Sequence, residues 1–287
     1  MYNYAIITDS SCDLPHSMIE ELDIKIMQLD IVVDGEGVFR NDEMDVKEFY
    51  QKLRNKQNIK TSAVNADKAS DIIKDVFESG KDVLYLGFSS SLSSTYQTVA
   101  MTGNELMEEY PDRKIISIDT LAASMGQGLL VYKACQYRAD GKSLEETAAY
   151  IEDIKLKLCH WFTVDDLFFL KRGGRVSGVT ATLGTMLSIK PILHVDDEGR
   201  LINVGKVRGR KASVAELAKR MENLAIDPGT QDVFISHGDC LEDAEKLSDI
   251  IREKFGTQNI VISYVGTVIG AHSGPGTLAL FFVGDHR

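Results

Sequence analysis

The sequence predicts an α/β fold with two α/β domains, the first built on a mostly parallel sheet and the second on a mixed or partly antiparallel sheet. Short apolar runs alternate with helical patterns over about the first 150 residues, which is typical of a parallel sheet. Near residue 160 this alternation stops, and Asp196–Gly199 forms a turn between two strand-like runs, which indicates an antiparallel hairpin. We therefore expect domains at residues 1–159 and 160–287.

The first domain contains three apolar runs that each end in polar residues. "YNYAIITDSS" is one, Val83–Gly87 is followed by a serine-rich loop, and Ile115–Ile118 is followed by Asp119 and Thr120. In parallel sheets, ligands bind outside the carboxyl ends of the strands, so we expect these polar loops to meet at one edge.

Helices are predicted between these runs from capping signals and from apolar spacing. Asp45-x-x-Glu48 and Ser143-x-x-Glu146 have the pattern of capping boxes. "ADKASDIIKDVFES" has apolar residues on one helical stripe. The stripe consists of Ala69, Ile72, Ile73, Val76 and Phe77.

The second domain begins with "CHWFTVDDLFFLKRGGRVSG", which predicts one strand, one short helix and a Gly-Gly break. Ser213-x-x-Glu216 predicts the start of a further helix. "QDVFISHGD" and "NIVISYVGTVIG" are interpreted as further strands.

Composition excludes several classes of protein. The chain has 287 residues and a formal net charge of −11, which argues against nucleic acid as a partner. Its four cysteines form no C-x-x-C pair, which argues against a disulfide framework or a zinc site. The N-terminus lacks the pattern of a signal peptide, and no apolar run approaches the roughly 20 residues of a membrane-spanning helix. We therefore predict a cytoplasmic protein without a cofactor or metal.

Familiar catalytic signatures are missing from the sequence. It has no G-x-S-x-G, G-x-x-x-x-G-K-[ST], G-x-G-x-x-G or H-E-x-x-H pattern. The usual forms of a hydrolase, a P-loop enzyme, a dinucleotide-binding protein and a zinc protease are correspondingly disfavoured. In "TDSSCDLP", Asp13 or Ser11 is interpreted as the cap of the next helix.

Hydroxyl side chains cluster at two predicted helix starts. Thr61 and Ser62 precede one helix, and the loop after Val83–Gly87 has six hydroxyls in seven positions. Capping explains some of them, but one helix start does not require so many. Free backbone N–H groups at a helix start also favour an anion such as a carboxylate or phosphate. The six are Ser89, Ser90, Ser91, Ser93, Ser94 and Thr95.

"VIGAHSGPGTLALFF" places an imidazole beside a tight corner before an apolar run. A single histidine is most often structural. His272 is however followed by Ser273 and Gly274, where the backbone can approach a ligand closely. Imidazole is also the side chain most easily poised near neutral pH. These residues are therefore candidates for a ligand site.

Two basic segments could bind an anion or a partner. Arg172 and Arg175 flank a Gly-Gly turn, which is either a solvated loop or a clamp or docking loop. Arg208 follows a strand-like run in "GKVRGRK" and could pair with a carboxylate or phosphate.

The order and spacing of these segments resemble the DegV family over nearly the whole chain. The segments are "ITDSSCDLP", "TSAVN", "GFSSSLSSTYQT", "IDTLAASMGQG", "LKRGGRVSG", "LSIKPIL", "KVRGRK" and "GAHSGPGTLALFF". The resemblance implies two α/β domains with a long-chain fatty acid bound between them. It also implies a role like that of the fatty-acid-binding subunit of the bacterial fatty acid kinase system, in which a separate kinase phosphorylates the carboxylate.

The resemblance further implies a head-group site. The family's Thr, Ser, Arg and His map onto Thr61, Ser93, Arg208 and His272 of this chain. The family often has Gly where this chain has Ser94, and Gln and Pro where it has Ala63 and Val64. Ser62, Ser94, Thr95, Ser273 and Gly274 lie beside the mapped residues and complete the predicted ligand site.

The leading hypothesis is therefore a carrier rather than an autonomous enzyme. Its ligand is a long-chain fatty acid, its partner is a fatty acid kinase subunit that docks at Arg172 and Arg175, and it contacts a membrane surface transiently. One alternative is a hydrolase or acyl transferase with Ser93 as nucleophile and His272 as base. Another is a regulatory protein that only senses the lipid.

Overall fold

A computed structural model describes residues 2–176 and 188–287 as an α/β fold. The end of "LKRGGRVSG" and Leu187 of "LSIKPIL" lie outside these residues. The strands, in chain order, are β1 (Tyr4–Asp9), β2 (Ile24–Met27), β3 (Asp30–Val33), β4 (Gly37–Arg40), β5 (Ile59–Thr61), β6 (Asp82–Gly87), β7 (Ile115–Asp119), β8 (Leu158–Thr163), β9 (Ile189–Val195), β10 (Leu201–Arg208), β11 (Val233–His237), β12 (Ile260–Tyr264) and β13 (Leu278–Val283). The helices are α1 (His16–Glu21), α2 (Val46–Arg54), α3 (Ala66–Glu78), α4 (Thr95–Glu109), α5 (Met125–Ala139), α6 (Leu144–Ile154), α7 (Phe168–Arg172), α8 (Arg210–Leu224), α9 (Leu241–Phe255) and α10 (Thr267–Ser273).

The first sheet is parallel, as the sequence predicts. Its strand order is β2-β1-β6-β7, and every pair in it is parallel. All six residues of β1 are buried, which fits a strand covered on both faces. The loops after β1, β6 and β7 therefore meet at one edge of this sheet.

A small antiparallel sheet, which the sequence analysis did not identify, lies beside the first sheet. Its strand order is β4-β3-β5, and β3 pairs with both neighbours. β5 has only three residues, too few to show a period of two. This sheet matters for function because Thr61 is the last residue of β5.

The second sheet is mixed, again as predicted. Its strand order is β10-β9-β8-β13-β11-β12, and only β11 and β12 pair in parallel. β9 and β10 form the hairpin predicted around Asp196–Gly199. Leu158 and Cys159 of β8 already pair with β13, so this sheet begins just before residue 160. The division into residues 1–159 and 160–287 stays a prediction.

Helix α5 packs against both large sheets. Leu129, Leu130 and Val131 are fully buried and belong to one apolar cluster with Leu84 of β6 and Phe234 of β11. A helix that is apolar around most of its surface must be covered on all sides. The two sheets therefore share one hydrophobic core through this helix.

A buried carboxylate joins the edge of the first sheet to α5. Asp9 Oδ2 accepts hydrogen bonds from the Phe88 backbone N–H at 3.0 Å and from Gln127 Nε2 at 3.2 Å. Asp9 also accepts from Ser11 and caps the turn Ser10–Cys12. The expected cap by Asp13 or Ser11 is wrong, because α1 begins after Pro15 without a side-chain cap.

Helix starts follow the sequence signals in some places only. Ser143 and Glu146 form the predicted capping box. Asp45 caps α2 by accepting from two backbone N–H groups, but no reciprocal bond from Glu48 completes a box. The predicted start at Ser213 is wrong: α8 begins after Gly209, and Ser213 Oγ donates to the Arg210 carbonyl.

The segment around His272 also differs from its prediction. The sequence predicts strand throughout "NIVISYVGTVIG", but β12 ends at Tyr264 and α10 begins at Thr267. Gly266 separates the two elements as the residue before the helix. A short apolar run cannot be assigned to strand or helix from periodicity alone.

All four cysteines lie in the described residues, and none of them forms a disulfide. Across residues 2–176 and 188–287, no helix has both the length and the apolar character needed to cross a membrane.

Shortening Leu129 should destabilise both sheets together, because α5 belongs to the core of each. We expect Leu129→Ala to lower the free energy of unfolding by about 2–5 kcal/mol. Fluorescence of Trp161, the sole tryptophan, reports the second sheet, and far-UV circular dichroism reports the whole chain. Both signals should shift to the same lower urea midpoint. Met101→Ala, at a residue that is 64% exposed, should leave that midpoint nearly unchanged; separate transitions in Leu129→Ala would contradict a shared core.

Candidate functional site

A cavity of about 190 Å³ lies where the two large sheets and the small sheet meet. Its wall is mainly apolar and includes Leu29, Phe88 and Leu92 from the first half, and Leu170, Val268 and Phe281 from the second. Eleven of the lining residues have polar or charged side chains. They are Thr61, Ser62, Ser93, Ser94, Ser124, His160, Arg175, Ser236, His272, Ser273 and Thr277.

Thr61 and His272 form the central polar pair of the predicted site. Thr61 Oγ1 lies 2.8 Å from His272 Nε2, so the end of β5 is bonded directly to the end of α10. Burial lowers the pKa of His272 to about 4, and the charges of Arg175 and Arg172 act in the same direction. The imidazole is therefore neutral at pH 7 and can offer one donor and one acceptor.

Glycine holds the backbone close to this imidazole. A Cβ on Gly173 would clash with His272 Nδ1, so a larger residue there would force the imidazole to shift. Gly274 has a φ of +79°, and a Cβ on it would meet the ring of Phe169. Gly274 itself does not line the cavity, whereas Ser273 does, and the buried Ser273 Oγ has no partner among the described residues.

The serine-rich loop after β6 divides its hydroxyls between two tasks. Ser89 and Ser91 donate to the carbonyls of Gly199 and Glu198, which joins this loop to the β9–β10 hairpin. Ser93 Oγ accepts from the backbone N–H of Thr95, the first residue of α4, at 3.2 Å, although Ser94 is the N-cap residue. Ser93 thus supports the helix start and also lines the cavity.

The buried Thr95 joins the two hydroxyl clusters. Its Oγ1 lies 2.9 Å from Ser93 Oγ and accepts from the Val64 backbone N–H at 3.3 Å. Thr95 thus lies behind the cavity wall, whereas Ser62 and Ser94 lie in it. Ser94 precedes α4 without making a side-chain cap.

The arginines are arranged differently from the expectation. Arg175, predicted for docking, lines the cavity; its Nε donates to the Leu92 carbonyl at 3.2 Å, and burial lowers its pKa. Arg172 is exposed at the end of α7, beside Phe169. Arg208, predicted to bind the ligand, is exposed at the end of β10 and is not among the described lining residues. The structure therefore brings Arg175 rather than Arg208 to Thr61, Ser93 and His272.

Only part of the basic segment "GKVRGRK" is exposed to solvent. Arg210 Nε donates to Asp243 at 2.9 Å, and its Nη1 donates to the Gly276 carbonyl at 2.7 Å. Arg210 thus holds the loop that follows His272. Lys206 and Arg208 remain exposed.

The nucleophile and base of the alternative enzyme hypothesis are not hydrogen-bonded to each other. Within the described residues, His272 Nε2 pairs with Thr61, and Ser93 Oγ pairs with Thr95. A hydroxyl nucleophile needs its base within hydrogen-bond reach. This geometry does not favour Ser93 and His272 as a catalytic pair.

A second polar cluster in the same cavity was not found by the sequence analysis. Ser124 Oγ donates to Asp13 Oδ2 at 2.5 Å and lies 3.1 Å from Ser236 Oγ. His160 lines the cavity elsewhere on the same sheet, opposite Phe281 on β13. Burial raises the pKa of Asp13 to about 8, although the bond from Ser124 opposes this. Ser236 and His160 lie inside strands that are otherwise mainly apolar. A polar residue in such a strand is the sequence signal that could have identified them.

Known proteins are similar to this chain over nearly its whole length. The family model described as "Uncharacterised protein, DegV family" matches residues 3–285. A DegV domain-containing protein of Clostridium perfringens is 47% identical over 289 residues, covering 100% of this chain and 99% of the relative. A solved structure described as "Fatty Acid Binding of a DegV family Protein from Thermus thermophilus" is 28% identical, with a TM-score of 0.89 over 99% of this chain and 100% of the other. The structure of "DegV, a fatty acid binding protein from Bacillus subtilis" is 27% identical, with a TM-score of 0.86 over 99% of this chain and 100% of the other.

The buried Asp13 should make stability depend on pH. Between about pH 4 and 8 the folded state keeps a proton that the unfolded state has released, so stability falls as the pH rises. The amide in Asp13→Asn does not titrate, so the free energy of unfolding of this variant should fall less between pH 4 and 8 than that of the unmodified protein. The two falls should differ by on the order of a few kcal/mol.

Urea midpoints measured from pH 5 to 8.5 at constant ionic strength would check this expectation. Asp140→Asn, at an exposed position, should keep the slope of the unmodified protein. Parallel curves for the unmodified protein and Asp13→Asn would refute the raised pKa.

Proposed function

The chain belongs to the DegV family, and from this premise we propose that it is a carrier which binds a long-chain fatty acid in the cavity and presents the carboxylate to a separate kinase. The kinase would phosphorylate the carboxylate to an acyl phosphate for phospholipid synthesis. The observation that carries the proposal is a mainly apolar cavity with Thr61, Ser93, Arg175 and His272 on its wall. The described fatty-acid-binding function of the Thermus thermophilus and Bacillus subtilis relatives supports it.

The proposed head-group site would satisfy a carboxylate within an apolar surrounding. A buried carboxylate must be hydrogen-bonded or paired, or it will take up a proton. Thr61 and Ser93 would donate hydroxyl hydrogen bonds, and Arg175 would supply the positive charge. His272, neutral in the free protein, would gain a proton more easily beside the bound anion.

The apolar wall would hold the acyl chain. Each buried CH₂ group contributes about 0.8 kcal/mol, and part of that is lost in ordering the chain. A chain of about 16 carbons would therefore bind tightly enough to remain during purification.

Two surface features support the proposed encounters with a kinase and a membrane. Arg172 is exposed one residue before Gly173, the residue that contacts His272, so a partner at Arg172 would stand close to the head group. Lys206 and Arg208 remain exposed and could meet anionic lipid head groups during ligand exchange.

Mass spectrometry of an organic extract of the purified protein tests the ligand class directly. We expect about one equivalent of a fatty acid per chain. Ser93→Ala and His272→Ala should each weaken the binding of palmitic acid by the delipidated protein by roughly 10-fold to 100-fold, the effect of losing one hydrogen bond to a charged group.

Ser91→Ala is the matched control, because Ser91 lies in the same loop and bonds to Glu198 instead of lining the cavity. An empty protein that fails to bind added fatty acid would refute the carrier proposal. Unchanged affinity in both Ser93→Ala and His272→Ala would remove these residues from the head-group site.

Reversing the charge of Arg172 should separate docking from lipid binding. Arg172→Glu should lower acyl phosphate formation by the fatty acid kinase subunit at least about 10-fold, because a docking charge would become repulsive. Palmitic acid affinity should change much less than the kinase rate, since Arg172 lies outside the cavity wall and acts on His272 only through its charge.

Lys246→Glu reverses a charge on α9 at an exposed side chain and should leave the kinase reaction unchanged. Arg175 is unsuitable for this experiment because it lines the cavity. Equal rates for the unmodified protein and Arg172→Glu would exclude docking at this residue.

A further inference from the structure

The Ser93 hydroxyl is the last member of a short chain of hydrogen bonds that begins behind the cavity wall. The Val64 backbone N–H lies 3.3 Å from Thr95 Oγ1, and Thr95 Oγ1 lies 2.9 Å from Ser93 Oγ. The Thr95 backbone N–H also donates to Ser93 Oγ, at 3.2 Å. Val64 and Thr95 are buried, whereas Ser93 lines the cavity. These bonds therefore lead from a buried loop to the proposed head-group site.

The direction of the bonds follows from what each group can donate or accept. A backbone N–H only donates, so Thr95 Oγ1 accepts from Val64. Among residues 2–176 and 188–287, the remaining hydrogen-bond partner of Thr95 Oγ1 is Ser93 Oγ. If Ser93 were the donor in that bond, the hydrogen of the fully buried Thr95 hydroxyl would have no acceptor, which costs free energy. Thr95 is therefore the donor to Ser93.

This direction fixes the role of the Ser93 hydroxyl. A hydroxyl group has two acceptor lone pairs and one hydrogen. Ser93 Oγ accepts from the hydroxyl and from the backbone N–H of Thr95, which occupies both lone pairs. Only its own hydrogen remains, and because Ser93 lines the cavity, that hydrogen is available to a ligand there.

The other hydroxyl of the proposed head-group site is not fixed in this way. Thr61 Oγ1 either donates to His272 Nε2 or accepts from it, depending on which ring nitrogen carries the proton. This pair can adapt to a ligand, whereas Ser93 can only donate. A carboxylate only accepts when it is ionised, and it suits such a donor. A primary amide of similar shape has N–H groups that must donate, and it finds no free lone pair at Ser93.

We propose that Thr95 is a positioning residue that holds the Ser93 hydroxyl as a hydrogen-bond donor, and that the head-group site thereby selects an ionised carboxylate over a neutral group that must itself donate. The inference rests on the proposed fatty-acid-binding function. It adds a determinant of head-group specificity at a residue that lies behind the cavity wall and acts through Ser93.

The test compares the binding of palmitic acid and of hexadecanamide to the delipidated full-length protein at neutral pH. The unmodified protein should bind the acid more tightly. Thr95→Val keeps the shape of the side chain and the backbone N–H, but it removes the hydroxyl and frees one lone pair of Ser93. The ratio of acid affinity to amide affinity should therefore fall at least about 5-fold, the effect of one hydrogen bond.

Three further variants separate the role of the Thr95 hydroxyl from a change in packing. Thr95→Ser retains the hydroxyl and should keep the ratio of the unmodified protein. Thr147→Val is the matched control, because it removes a buried threonine hydroxyl that bonds to Tyr4 and is not among the described lining residues. In the Ser93→Ala background, Thr95→Val should change the ratio no further, because Thr95 acts through Ser93. If Thr95→Val does not fold, Thr95→Ala decides.

The outcomes separate this inference from the carrier proposal. If palmitic acid binds and Thr95→Val leaves the ratio unchanged, the role of Thr95 is overturned and the carrier proposal stands. The same holds if Thr95→Ser lowers the ratio as much as Thr95→Val does, or if the unmodified protein binds acid and amide equally. Failure of the unmodified protein to bind palmitic acid would refute the carrier proposal itself.

Discussion

The burial of α5 between the two large sheets is the constraint on which the rest of the molecule depends. Most of this helix is apolar and buried, and its neighbours include β1 and β6 on one side and β8, β11 and β13 on the other. Such a helix is stable only when both faces are covered. Covering it forces the two sheets to face each other, and their strands and loops then meet around the beginning of α5.

The cavity follows from that arrangement. The Ser124 that precedes α5 lies at the carboxyl edge of the parallel sheet and also within reach of Ser236 on the mixed sheet. The loop after β6 adds Ser93, the end of β5 adds Thr61, and α10 adds His272. Polar groups from both halves are thus placed in an apolar wall, where each must have a partner or hold a ligand.

The two imidazoles of the cavity are fixed by close backbone contacts. His272 lies against Gly173 and His160 against Gly126, so closely that a Cβ at either glycine would force the ring to shift. Burial lowers the pKa of both rings, so each remains neutral at pH 7. They differ in their partners: His272 is bonded to Thr61, whereas His160 has no hydrogen-bond partner among the described residues.

The sequence by itself determined the α/β class and the parallel and mixed sheets, because hydrophobic period and turn residues are local signals. Hydroxyl clusters and a tight corner made Thr61, Ser93 and His272 candidates, and the resemblance to the DegV family mapped them to a head-group site. Only the tertiary structure decided that Arg175 rather than Arg208 lies at the cavity, and that Ser124 and Ser236 meet there. Strand pairing sets these positions, and it joins residues that are far apart in the chain. Ser124 and Ser236, for example, are 112 residues apart, and no local pattern brings them to 3.1 Å.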